Sequence, residues 1–531
     1  MLLSREERRQ DALSVHTLMP SEVTTDEQEA TFLYSQILSE IFINIKYEKA
    51  EDVEVGLHET AAELRDLYAK NQSEIEKINL FERTYTSKTP VKWYTGDSAV
   101  YRVVNEALRE QKTETLYNVR YYIKDLHRQL TQMHKQWKSS LSERQITLYR
   151  GTVWPESQFE KQLRSNIGGL LSFSSFTSTS LDRTLCDVIY GNCSGQLGKS
   201  GIVFEVKVDL DTCQWPCANI TSENHYGDAE QEILFTMGTV FRIVSVEPKQ
   251  EKGNWIVKLE LTSDEDIELK ELGRHLRREI GHGSPLISLG KLLRRMAKYA
   301  QAKSIYQRLL NFKQIKYNAH TLMNLYHDLG TVCARLGNDQ EALSYLDTAL
   351  KLKSVLKTFN LAPTLTEIGH VLASQNKQQD AMINYAAALN EEMKQDKPNP
   401  LNLALIHKSL AFSQLSSGRA YTHALEYLLH ADDYEEAAGL VKRKHHRRAD
   451  TQNIMGLIYY AIGEFRQALT CFQRAFTIET ISLPVDHPST ASTLAHIAAT
   501  LDHLYRPDEA LEQIKRALDV AKKIFPSLHP Q

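Results

Sequence analysis

The sequence predicts an α+β domain entered through helices and followed by an all-α repeat solenoid. Three observations predict it. Apolar residues recur at three- and four-residue steps up to about residue 145, at two-residue steps from about 146 to 263, and in units of about 42 residues from Leu289 onward. The length of 531 residues exceeds one domain and fits about three structural units. With 42% hydrophobic and 24% charged residues the chain reads as globular, which excludes gross disorder and collagen-like architectures. A formal net charge of −4 gives no bulk attraction to polyphosphate, so no nucleic-acid partner is expected.

Each element can be justified in turn. The opening MLLSREERRQDALSV meets Arg5 before an apolar region of about seven residues has formed, so it is not a secretory signal and a cytoplasmic location is expected. The richest short apolar segment, Ile41-Phe42-Ile43-Asn44-Ile45, is far from the roughly 20 residues of a membrane span, and no membrane association is expected. Residues 1–89 form a helical amino-terminal region. From Asp97 to Gln111, Val100, Tyr101, Val104, Ala107 and Leu108 share one helical face behind a capping Asp97. A second helix places Leu116, Val119, Tyr122, Ile123, Leu126 and Leu130 together.

Strands are predicted at 146–152, 168–180, 201–210, 232–247 and 255–263, separated by Gly, Asn, Pro and Ser clusters. Together with the helices before them they make an α+β unit over 90–265, and 266–286 is the linker, carrying the Gly281-His282-Gly283-Ser284-Pro285 breaker. Six cysteines are too sparse for a disulfide framework. Cys213 and Cys217 are read as free thiols, since no His/Cys pair at zinc spacing accompanies them, and no metal is expected.

From 287 to 531 the chain repeats. Ala302, Ala342, Ala381, Ala424, Ala468 and Ala510 recur at spacings of 40, 39, 43, 44 and 42, with Ala349, Ala388, Ala431, Ala475 and Ala517 seven residues after five of them. Gly290, Gly330, Gly369 and Gly456 stand twelve residues before four of them, and Tyr306, Tyr345, Tyr385 and Phe472 are the expected knobs beside these small residues. The pattern resembles tetratricopeptide repeats. Its long period and the Asp486-His487-Pro488 connection resemble the kinesin-light-chain subtype, whose concave surface implies a protein or peptide partner in the groove. Five regular units are expected, with a sixth distorted where the fourth lacks its Gly.

Three polar elements interrupt the sheet region. Arg150 stands near the end of ITLYRGT, the hydroxyl run Ser175 to Ser180 ends the second strand, and Glu230-Gln231-Glu232 opens a later one. Singly, each has an ordinary explanation: a surface arginine, a capped turn, a solvated strand edge. In this order, and with the words LYRG, GGLLSFSSFTSTS, AEQEILFTMGTVFRI and WYTGDSAVYRVVNEALR, they resemble the R-S-E signature of arginine-specific mono-ADP-ribosyltransferases over about residues 90–262.

That resemblance implies a mixed-sheet ADP-ribosyltransferase fold, NAD+ or NADP+ as co-substrate, and a protein acceptor with an exposed arginine. It implies that Arg150 holds the pyrophosphate through its donor fork. Gly151 offers its backbone to the nicotinamide carboxamide, and Thr179 and Ser180 line the floor. Ser178 hydrogen-bonds and orients Glu232. Glu232 stabilises the oxocarbenium-like ribose as nicotinamide leaves, and Glu230 engages the acceptor guanidinium, the E-x-E pattern going with arginine. Tyr226 and His225 fall in the acceptor-recognition turn by the same resemblance, although an aromatic that packs the loop fits equally well; Tyr190 receives no role. No GxGxxG or P-loop is present. The basic run Lys442 to Arg448 reads as a solvated helix end. An NAD+ glycohydrolase and an inactive repeat scaffold remain as alternatives.

Overall fold

A computed structural model of the chain describes residues 15–18, 26–45, 50–96, 98–184, 198–213, 215–223, 232–248, 254–262, 285–310, 318–352, 360–417, 421–438, 446–483 and 487–524. The chain divides into two compact units, Met1–Pro285 and Leu286–Gln531.

Among the described residues of the first unit, a short strand β1 (Val15–Leu18) is followed by seven helices: α1 (Asp26–Ile43), α2 (Ala50–Leu67), α3 (Gln72–Thr84), α4 (Pro90–Thr95), α5 (Ala99–Arg109), α6 (Thr113–Asn118) and α7 (Arg120–Ser140). The amino-terminal region is therefore not purely helical. Four residues, VHTL, carry too little pattern to announce a strand, and β1 exists because it pairs antiparallel with a distant segment, Val15 opposite Phe173. The cap of α5 is Ser98, whose Oγ accepts from Tyr101 N; the expected cap, Asp97, lies outside the described residues. Val100, Val103, Val104, Ala107 and Leu108 form the buried face of α5, and Tyr101 is only half-buried. The expected single helix from Leu116 to Leu130 is two, because the chain leaves helical geometry at Val119 (φ −96°, ψ 8°). Leu116, Val119 and Ile123 are buried across the break, so the apolar period runs on although the helix does not.

The strands are β2 (Gln145–Pro155), β3 (Leu170–Phe173), β4 (Thr177–Ser180), β5 (Lys199–Asp209), β6 (Cys217–Asn219), β7 (Glu232–Phe235), β8 (Val240–Pro248) and β9 (Asn254–Leu261), with a short helix α8 (Glu156–Gln162) after β2. They form one mixed sheet in the order β1-β3-β8-β9-β5-β2-β4-β7-β6, antiparallel except for β5 beside β9. The run 168–180 is two strands rather than one. Thr177 Oγ1 donates to Ser175 O at 3.1 Å, a local hydroxyl turn that ends β3 and sends β4 to the far part of the sheet. The run 232–247 likewise divides at Gly238, whose φ of +76° makes the turn between β7 and β8. The sheet curls around its core: Phe235 of β7 and Phe241 of β8, far apart in strand order, have ring centroids 5.4 Å apart. Phe173, Phe204 and Phe241 continue that contact as edge-to-face pairs.

The second unit is six helix pairs among the described residues: α9 (Pro285–Arg295) with α10 (Tyr299–Leu310), α11 (Ala319–Arg335) with α12 (Asp339–Leu352), α13 (Ala362–Ser374) with α14 (Gln378–Met393), α15 (Pro400–Ser417) with α16 (Tyr421–Ala437), α17 (His446–Ala461) with α18 (Phe465–Ser482), and α19 (Pro488–His503) with α20 (Pro507–Ile524). The six register alanines are all buried. A Cβ on Gly290, Gly369 or Gly456 would stand 2.3, 2.4 or 2.6 Å from the ring of Tyr306, Tyr385 or Phe472. At Gly330 the neighbour is Leu346, at 2.5 Å, not Tyr345. Tyr345 is one position out of register and stacks on Tyr326 instead. The fourth pair, without the Gly, has Phe412 there, 47% exposed. Among the described residues no helix is long and apolar enough to cross a membrane.

Candidate active site

Strands β2, β4 and β7 lie side by side, and their register places Tyr149, Ser180 and Glu232 in one row. Directly paired residues project to the same side of a sheet, and alternation then puts Ser178 on the side of Glu232 and Thr179 on the other. Ser178 Oγ donates to Glu232 Oε1 at 2.5 Å, a charge-assisted bond from a neighbouring strand that fixes the carboxylate. Arg150 Nη1 donates to Ser178 O at 2.6 Å, so Ser178 ties the arginine to the glutamate, its carbonyl serving one and its hydroxyl the other.

The remaining predicted positions are dispersed around this centre. Gly151 is buried on β2 and pairs with Val203 of β5. Thr179 is buried and its hydroxyl donates to Ile233 O at 3.0 Å, across the ladder to β7. Ser180 Oγ accepts from Asp182 N at 3.0 Å and so shapes the turn that leaves β4. Beyond that turn Arg183 lies 5.9 Å from the Tyr149 ring and 3.7 Å from Glu205. Glu230, His225, Tyr226 and Tyr190 lie outside the described residues.

Helices support the row from beneath. On α7, His127 Nδ1 meets Thr236 Oγ1 at 2.8 Å and His134 Nδ1 donates to Cys217 O at 2.7 Å, pinning that helix to the ends of β7 and β6. Burial lowers the pKa of His127 to about 4, so its ring is a neutral hydrogen-bonding group at physiological pH. Tyr94 of α4 reaches the backbone of Phe176, two residues before Ser178. Neither Tyr94 nor the two histidines stands out in the sequence; the only signal was their place on the apolar faces of helices. Cys213 and Cys217 are free thiols. The neighbouring Cys217 thiol lowers the pKa of Cys213, and that contact, with burial, pushes Cys217 up. Cys186 and Cys193 lie outside the described residues, among which no group of three His, Cys, Asp or Glu could hold a metal.

Comparison with known proteins matches parts of the chain to two families. Residues 55–266 match the NAD:arginine ADP-ribosyltransferase family, and residues 324–355 and 444–523 match tetratricopeptide repeats. The chain carries an NAD:arginine ADP-ribosyltransferase domain followed by tetratricopeptide repeats. The strands β2, β4 and β7 and the Ser178–Glu232 contact thus belong to the transferase domain, and α11 to α12 and α17 to α20 to the matched repeats. Among solved structures, BtubC (BKLC) from P. vanneervenii aligns at 18% identity over 45% of this chain and 93% of its own, with a TM-score of 0.33. The kinesin-light-chain-like repeats of Podosopora anserina align at 18% identity over 40% of this chain and 100% of theirs, with a TM-score of 0.30. No curated protein matches.

Proposed function

We propose that the transferase domain moves a single ADP-ribose from NAD+ to an arginine side chain of a protein acceptor, with release of nicotinamide, and that the repeats bring the acceptor or a regulator to it. The observation that carries this reading is the chain of two hydrogen bonds from Arg150 through Ser178 to Glu232. These residues suit NAD+: a guanidinium fork for its pyrophosphate, Gly151 where no side chain obstructs the carboxamide, and a carboxylate held rigid where the ribose would lie.

When bound, NAD+ supplies the ADP-ribosyl group and a leaving nicotinamide. The residues of this chain supply the rest. Glu232, held by Ser178, faces positive charge as it develops on the ribose, and it needs no reorganisation to do so. Glu230 orients the acceptor guanidinium, whose pKa above ~12 makes it a poor nucleophile without an adjacent carboxylate, and takes up its proton. Thr179 and Ser180 shape the floor through the ladder and the turn that they hold.

The test is transfer of labelled ADP-ribose to agmatine by the intact chain. Glu232→Ala is expected to remove transfer and NAD+ cleavage, by a factor of about 10² or more. Glu230→Gln is expected to remove arginine transfer and spare hydrolysis. Arginine label in both variants at the wild-type rate overturns the assignment. NAD+ loss without label in the wild type makes the protein a glycohydrolase, and neither activity makes it a scaffold.

A further inference from the structure

The turn Ser174–Phe176 lies between the ladder pairs of β3 and those of β4, and it leads into Ser178 two residues later. A buried carbonyl outside a ladder needs a donor, and Phe176 O faces the Tyr94 phenol at 3.2 Å, whose one proton it shares with Asn105 Oδ1. Tyr94 is 4% exposed. Its ring sits edge-on to Phe176 and Tyr101, with centroids 5.5 and 5.1 Å away, and its hydroxyl lies 2.8 Å from Asn105 Oδ1. The Asn105 amide is in turn oriented by donating from Nδ2 to Tyr101 O at 3.1 Å.

The helix that bears Tyr94 is itself anchored. Val91 N donates to Gln129 Oε1 at 2.9 Å, Tyr122 Oη donates to Pro90 O at 2.9 Å, and Ser98 Oγ donates to Trp93 O at 2.7 Å. A rigid helical corner therefore grips the turn through one phenol. Two residues further on, in β4, is Ser178, whose carbonyl receives Arg150 and whose hydroxyl restrains Glu232. We propose that Tyr94, oriented by Asn105, is a positioning residue for the reaction, holding the β3–β4 turn so that Ser178 presents Arg150 and Glu232 in register with NAD+. This rests on the roles proposed above for Arg150 and Glu232. Burial raises the pKa of the phenol well above its usual value, so it remains a donor throughout the physiological range.

Two substitutions separate the hydroxyl from the ring. Tyr94→Phe keeps the aromatic contacts and removes the donor; Tyr94→Leu removes both and lowers stability further. With each chain assayed well below its unfolding temperature, both are expected to lose about tenfold in kcat/KM for NAD+, since a displacement of order 1 Å can diminish catalysis by up to about 10². The two losses are expected to be alike although the thermal midpoints differ. A role in packing alone gives Tyr94→Phe wild-type kinetics and confines the defect to Tyr94→Leu, and that result overturns the proposal. NAD+ affinity measured calorimetrically on the same proteins is expected to weaken about tenfold in both. A wild type that binds NAD+ without turning it over defeats the proposed function, and the affinities of the two variants still decide the role of Tyr94.

Discussion

Glu479 of α18 is a buried carboxyl with no cation beside it among the described residues. Its Oε1 accepts from Asn453 Nδ2 at 3.0 Å and Thr493 Oγ1 at 2.9 Å, and burial raises its pKa from 4.5 to about 7. The corresponding residue of the preceding pair, Glu435, also accepts from a threonine, Thr451, but has Lys408 Nζ at 3.0 Å. Because the native state holds the Glu479 proton more tightly than the unfolded chain, its contribution to stability is full below about pH 4.5 and is lost as pH rises through 7. The shift corresponds to roughly 3 kcal/mol. Glu479→Gln is therefore expected to be more thermostable than wild type at pH 8, with the difference shrinking or reversing at pH 5. A difference that does not change with pH refutes this. At this scale the sequence was informative where chemistry is carried by residue type, as in Arg150, Ser178 and Glu232, and silent where it is carried by burial, as in Glu479, His127 and Tyr94. A tyrosine in WYTG or a glutamate on a helix shows no environment until its neighbours from other elements are in place.

Among elements, the repeat register was legible because a small residue and its knob must meet at every unit: Gly369 and Tyr385 are both periodic and in contact. Where the knob changes type the sequence misled, since Tyr345 resembles the other aromatics but Leu346 holds the register. Strand breaks were harder for a physical reason. Ser174 to Phe176 contains neither Gly nor Pro, and a hydroxyl turn looks like the β-rich text around it. The close approach of paired helices gives a test. A methyl at position 369 would stand 2.4 Å from Tyr385 Cε1, so Gly369→Ala is expected to destabilise the array by roughly 1–3 kcal/mol by displacing the ring. Adding Tyr385→Leu opens that space, and the double-mutant cycle is expected to show a coupling of at least about 1 kcal/mol. Additive effects in chemical denaturation contradict the close-approach argument.

At the scale of the whole molecule, the chain has two compact units, and the proposed roles of chemistry and recruitment fall one to each. Every hydrogen bond described around Ser178 and Glu232 comes from the first unit, from β2, β4, β7 and the helices α4, α5 and α7. The proposed recruiting role can be separated from catalysis by choice of acceptor. Agmatine offers a guanidinium and almost no surface, whereas a protein acceptor offers both. A chain ending at Pro285 is expected to modify agmatine within about threefold of the full-length rate. Its labelling of protein acceptors in a cell extract is expected to fall by a factor of ten or more, because tethering by a second module raises the effective concentration of the target by about 10²–10⁴. An equal fall for both acceptors shows that the repeats support the fold or motion of the transferase domain. An equal rate for both shows that acceptor choice lies in the first unit, in the residues around Glu232, and the repeats then serve a partner other than the acceptor.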